Sequence, residues 1–169
     1  MARNIEIKAR AANLDALIAK AAAIASEGPI ELTQDDTFFA CAEGRLKLRV
    51  FASDRGELIF YRRADETGPK ESFYVRAPTS SPDLLRETLS LALGQTGRVR
   101  KKRIVYLVGR SRVHLDRVEG LGDFVEIEVV LAVGDTADEG VREARNLMRE
   151  LGIDTSRLIA TAYVDLLAR

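Results

Sequence analysis

The chain has 169 residues, 46% of them apolar and 31% charged, and its 26 basic residues balance 26 acidic ones. That length suits one domain, residues 1–169, with its own apolar core, and the composition excludes a disordered chain. Zero net charge excludes a global field drawing the protein to nucleic acid or an anionic membrane, so any anion site must be local.

Met1 to Arg10 carries charges where a secretory leader would need an apolar core, and no apolar run reaches membrane-spanning length. With a lone Cys41, which can form no internal bridge, this points to a cytoplasmic protein with no membrane partner. Cys41 has no activating neighbour in the sequence and is expected to be a small buried apolar residue.

In chain order, Arg3 to Arg10 alternates Asn4, Glu6, Lys8 and Arg10 with Ile5, Ile7 and Ala9, a period of two that sets the polar groups on one face of a strand. Asn13 then caps an Ala-rich helix whose stripe is Leu14, Leu17, Ile18, Ala21 and Ile24, and Gly28-Pro29 is the expected stop. Strands resume near Ile30. Arg45 to Phe51 alternates Lys47 and Arg49 with Leu46, Leu48 and Val50, and Asp54-Arg55-Gly56 turns it into a hairpin with Glu57 to Arg63. A short strand is expected at Glu71 to Arg76, then a helix opened by Ser81-Pro82-Asp83, with a capping hydroxyl and proline in the first turn, and closed at Gly94.

Three strands follow, Val99 to Leu107, Arg112 to Val118 and Asp123 to Val133, the last two joined by a Glu119-Gly120-Leu121-Gly122 turn. Thr136 with Glu139 forms a capping-box pattern for a third helix, with Gly140 inside its first turn, and Asp154 is expected to cap a last helix running to Leu167. So many antiparallel strands leave sheet edges that closure best removes. The expected fold is α+β, a closed eight-stranded antiparallel β tunnel with flanking helices.

Taken singly, each of these strands would turn its polar side to water. The argument against that reading is repetition, because Glu6/Lys8, Lys47/Arg49, Lys101/Arg103, Arg112/Asp116 and Glu126/Glu128 all recur at strand spacing. Closed with those faces inward, the sheet makes a cavity of opposed charges and packs its apolar sets outward on the helices. Desolvating charge costs several kcal/mol per ion, so such an interior persists only if the charges pair, stay hydrated or bind a charged ligand.

A triphosphate with divalent cations suits both signs. Arg49 and Arg103 can clamp phosphate oxygens in pairs, and Lys8, Lys47 and Lys101 act as point charges. Glu6, Asp116, Glu126 and Glu128 are hard oxygen donors suited to Mg²⁺ or Mn²⁺. His114, the single histidine, excludes a histidine-rich zinc site and is expected to be a hydrogen-bonded structural residue.

These residues resemble the CYTH family, the triphosphate tunnel metalloenzymes. Asn4-Ile5-Glu6-Ile7-Lys8 is similar to its amino-terminal ExExK signature with Asn4 at the first acidic position, Gly44 to Arg49 to its basic motif, and His114 to Glu128 to its carboxylate-bearing motif. Lys101-Lys102-Arg103 and the closing Tyr163-Val164-Asp165-Leu166-Leu167 resemble the cyclase-like bacterial branch.

The resemblance implies catalytic and metal-binding roles for Glu6, Glu126 and Glu128, with Asp116 near the metal. It implies phosphate binding by Lys8, Lys47, Arg49 and Arg103, with Lys101 and Arg112 beside them, and by Arg62 or Arg63, between which strand parity stays open. The expected activity is metal-dependent hydrolysis of a triphosphate such as tripolyphosphate, thiamine triphosphate or ATP; the alternative is a class IV adenylyl cyclase, and a homodimer is compatible with either. A rival reads Arg98 to Arg103 as an RNA-binding stripe, or the whole as an inactive binding module, but the stripe lacks the ladder of aromatics on which bases would stack.

Overall fold

A computed structural model describes residues 2–169. The strands are β1 (Ala2–Arg10), β2 (Glu27–Phe39), β3 (Arg45–Ala52), β4 (Arg55–Arg63), β5 (Lys70–Thr79), β6 (Gln95–Val108), β7 (Ser111–Val118) and β8 (Gly122–Leu131). The helices are α1 (Leu14–Ile24), α2 (Pro82–Leu93), α3 (Ala137–Leu151) and α4 (Tyr163–Leu167), with a 3-10 turn at Thr155–Arg157. All neighbouring strands are antiparallel, and the sheet closes as a barrel in the order β1-β5-β4-β3-β2-β6-β7-β8. The expected α+β tunnel is the observed fold, and among the described residues no helix is long and apolar enough to cross a membrane.

Closure is made by β1, which pairs Glu6 with Lys70 of β5 on one side and with Glu128 of β8 on the other. The larger apolar cluster lies outside the barrel. Ile5, Ile7 and Ala9 of β1, Val113 and Leu115 of β7, and Val125, Ile127 and Val129 of β8 turn outward and are buried with Leu14 and Ala21 of α1 and Ala144, Leu147, Met148 and Leu151 of α3. Each large aliphatic side chain buried there contributes about 1.5–3 kcal/mol, and this packing holds the opposite, charged face inward.

Local signals account for most of the helix ends. Asn13 Oδ1 accepts from the Ala16 amide at 3.0 Å, and Thr136 and Glu139 form a complete capping box. Gly140 is required for packing, because a Cβ there would sit 2.5 Å from Ile5 Cγ1. Gly94 closes α2 with φ of 78°, but the Ser81 hydroxyl makes no capping bond and the proline alone marks that start.

Three expectations are corrected. The first helix stops at Ile24, before Gly28-Pro29, because Ser26 and Glu27 already pair with Leu107 of β6. The last helix does not begin after Asp154, which caps only the 3-10 turn. Leu158 bridges Ala9 and the Ile159 amide donates to the Lys8 carbonyl, so this stretch is drawn out along β1 and α4 begins at Tyr163. Cys41 is exposed, since it lies in the loop after β2 and beyond the packed faces.

Candidate active site

The inward face of the barrel encloses a cavity of about 340 Å³ lined by eight basic and five acidic side chains. Alternation places them there: Asn4, Glu6 and Lys8 from β1, Gln34 and Asp36 from β2, Lys47 and Arg49 from β3, Arg63 from β4, Lys101 and Arg103 from β6, Arg112 and His114 from β7, and Glu126 and Glu128 from β8. The structure therefore brings together nearly all the residues singled out in the sequence. Asp116 lies in the wall rather than on the lining, and Arg62 is turned to the outer face with its guanidinium 5.8 Å from the Phe60 ring and 5.9 Å from Phe73. Parity gives the inward place to Arg63.

Two buried carboxylates organise the cations. Asp36 accepts from Arg49 Nε at 2.8 Å, Arg49 Nη2 at 2.7 Å and Lys47 Nζ at 2.9 Å. Burial alone would raise Asp36, but Arg49 and Lys47 outweigh it and hold the carboxyl well below its ordinary range. Burial, and then the Arg49 charge, lower Lys47 to about 8. Asp116 accepts from Arg103 Nε at 2.6 Å and Nη2 at 2.7 Å and from Tyr163 Oη at 2.9 Å, with Lys101 Nζ 4.0 Å away. It too is held low, burial being outweighed by Arg103 and Lys101.

Asp116 thus accepts from three donors, is fully buried and does not line the cavity. In the structure it orients Arg103. Asp36 and Tyr163 were missed. In Gln34-Asp35-Asp36 two adjacent acids hide the parity that Gln34 and Phe38 would have revealed, since Asp35 faces out to Arg98 while Asp36 faces in. Tyr163 belongs to no periodic segment.

On the opposite wall Glu6 accepts from Arg63 Nη1 at 2.5 Å, Lys8 Nζ lies 3.3 Å from Glu126, and Arg112 Nη2 lies 2.8 Å from Glu128. Burial and the Glu126 carboxylate raise Glu6. Glu126 is held well below its ordinary value, because Lys8, His114 and Arg103 together outweigh its burial.

Ligand atoms of His114, Glu126 and Glu128 all lie within 4.8 Å of one another. Donors about 2.0–2.6 Å from one divalent ion are spaced no wider than about 5 Å. Burial and Arg103 lower His114, leaving it a neutral imidazole, and its Nδ1 is buried without a hydrogen-bond partner, 3.7 Å from Glu126. Asn4 Oδ1 is likewise buried and unpartnered. These residues fit a divalent cation: two carboxylates, an unprotonated imidazole and an unused amide oxygen.

A family model described as CYTH domain matches residues 2–163. Adenylate cyclase CyaB of Aeromonas hydrophila is 25% identical over 171 aligned positions, covering 94% of this chain and 85% of that protein. The PH1012 protein of Pyrococcus horikoshii OT3 superposes with a TM-score of 0.86 at 23% identity, covering 96% of this chain and 98% of its own. The Hippeastrum protein HpAC1, described as revealing a dominant triphosphatase activity, superposes with a TM-score of 0.67 at 16% identity, covering 99% and 94% of the two chains. At those identities the structural likenesses speak for the fold alone.

Proposed function

The chain belongs to the CYTH domain family, and we accordingly propose that its barrel is an enzyme site that binds a small triphosphate with Mg²⁺ or Mn²⁺ and hydrolyses a phosphoanhydride bond. The observation that carries this reading is the cavity with eight basic side chains facing it, several already held in place by buried carboxylates.

The preorganisation is what makes the cations useful. A guanidinium has five N–H donors, and Arg49 and Arg103 each spend two on an aspartate, so the others remain for phosphate oxygens at little further cost in rotamer entropy. Lys47 and Lys101 add point charges beside them, and Arg63, Lys8 and Arg112 complete the ring from the opposite wall. Charge that grows on bridging and non-bridging oxygens as the anhydride breaks is met by donors already aimed into a water-poor cavity.

His114, Glu126 and Glu128 would hold the metal, with Asn4 and Glu6 beside them. When bound it would neutralise phosphate charge and lower the pKa of a water molecule. Glu6, whose carboxyl burial and Glu126 raise, is the group suited to take a proton from an attacking water.

The second reading is an adenylyl cyclase forming cyclic AMP and pyrophosphate from ATP, favoured by the named activity of the Aeromonas relative. The two differ in nucleophile and in which phosphate it attacks. Purified protein given tripolyphosphate, thiamine triphosphate or ATP with Mg²⁺ or Mn²⁺ is expected to release orthophosphate, and excess EDTA to abolish that release while tripolyphosphate still binds. Cyclic AMP as the main product from ATP would reverse the order of the two readings, and metal-independent turnover would end both.

A further inference from the structure

The short helix α4 sends one side chain into the barrel. Tyr163 is 6% exposed, its ring lies 4.8 Å from that of Phe124, and its Oη donates to Asp116 Oδ2 at 2.9 Å. Lys8 Nζ stands 4.2 Å from the centre of the same ring and Lys101 Nζ 5.1 Å. One residue outside the sheet therefore touches two cations directly and a third through Asp116.

The helix around it is fixed. Val164 packs so closely on Gly97 of β6 that a Cβ there would meet its Cγ2 at 2.4 Å, and Asp165 Oδ2 is 2.7 Å from Arg45 Nη2 of β3. These contacts hold α4 against β6 and β3 beside Tyr163.

We propose that Tyr163 is a positioning residue for the anion-binding cations, its ring setting the places of Lys8 and Lys101 and its hydroxyl, through Asp116, setting the plane of Arg103. The inference rests on the reading of the cavity as a polyphosphate site. A ring face attracts ammonium groups, and in a desolvated site the attraction holds a flexible lysine where water would otherwise let it wander. The hydroxyl acts differently: Oη occupies a lone pair on Oδ2, the oxygen that also accepts from Arg103 Nη2, and so limits the tilt of the carboxylate against the guanidinium.

The two limbs separate in two variants. Tyr163→Phe keeps the ring and removes the hydroxyl; Tyr163→Leu removes both. Tripolyphosphate binding is measured by calorimetry in EDTA, where no turnover occurs, and kcat and KM are measured with Mg²⁺, with the melting temperature of each variant as a control for folding. The Phe variant is expected to bind within about twofold of the native protein but to turn over about tenfold more slowly, because only the Arg103 limb is lost. The Leu variant is expected to bind about tenfold more weakly as well. Adding Lys101→Met to each background should weaken binding less in the Leu variant than in the Phe variant, since the ring that set Lys101 is already gone.

Unchanged binding and turnover in both variants would overturn the proposal alone. So would equal loss of kcat in the two with native affinity, or full additivity with Lys101→Met. Native protein that binds no tripolyphosphate would bring down the underlying reading of the cavity, and this proposal with it.

Discussion

Lys47 and Arg49 share one carboxylate, Asp36, yet burial treats them differently, and the difference is open to titration. Burial and the Arg49 charge lower Lys47 from an ordinary 10.5 to about 8, whereas Arg49 stays charged throughout. As pH rises through about 8 the cavity therefore loses one cation, and tripolyphosphate affinity measured in EDTA is expected to fall above that pH. Lys47→Arg should remove the Lys47 share of that fall, because a guanidinium keeps its proton, and leave only the share of Lys101, which burial and the Arg103 charge also lower; an unchanged profile in that variant would assign the break near 8 to another group. The sign for stability is the reverse. A lysine whose folded pKa lies below its unfolded value costs stability when charged, and that cost is relieved between about 8 and 10.5. Residue by residue, the sequence was clear where alternation was clean, as at Glu6/Lys8 and Lys101/Arg103. It was not at Arg62/Arg63, because β4 sends Ile59 and Tyr61 inward with Arg63 and so mixes the two faces. The group proposed to hold the metal shows a third case: His114 and Asp116 share a face of β7, and only three-dimensional partners reveal that Arg103 and Tyr163 occupy Asp116 while His114 Nδ1 makes no such bond.

Among the elements, α3 shows local and tertiary demands in conflict and the tertiary one prevailing. Glycine inside a helix costs about 1 kcal/mol relative to alanine, so Gly140→Ala should stabilise an isolated α3. Here a Cβ would meet Ile5 Cγ1 at 2.5 Å and Leu131 Cδ2 at 2.9 Å, on the two strands that meet at the seam. Overpacking costs typically about 1–3 kcal/mol, so the substitution is expected to be destabilising by up to about 2 kcal/mol net, read from denaturant titration. A gain in stability would show that the helix can shift without cost. The capping box that starts α3 was visible in Thr136 and Glu139 because it is wholly local. The start of α4 was not, because it is set by a bridge to Ala9, more than a hundred residues away in the chain.

For the molecule as a whole, the even balance of 26 acidic and 26 basic residues conceals an uneven interior, with eight basic side chains facing the cavity against five carboxylates. Like charges confined together cost free energy, and a polyanion that enters relieves it. Tripolyphosphate at about a hundred times its dissociation constant should add about 2.7 kcal/mol. Thermal unfolding in EDTA should then shift upward by roughly 5–10 °C for a chain of this size, and no shift would contradict the site. Closure and the inward charged face could be reasoned from alternation and edge avoidance alone. The order of strands could not, since β1 joins β5 and β8 across long separations that no local pattern encodes. That seam also governs how the protein comes into being. On the ribosome β1 emerges well before either neighbour, and the ring cannot shut until Leu131 is out of the exit tunnel, so a stalled nascent chain would carry Lys8 with no Glu126 to meet it and bare sheet margins open to chaperones or to misassembly.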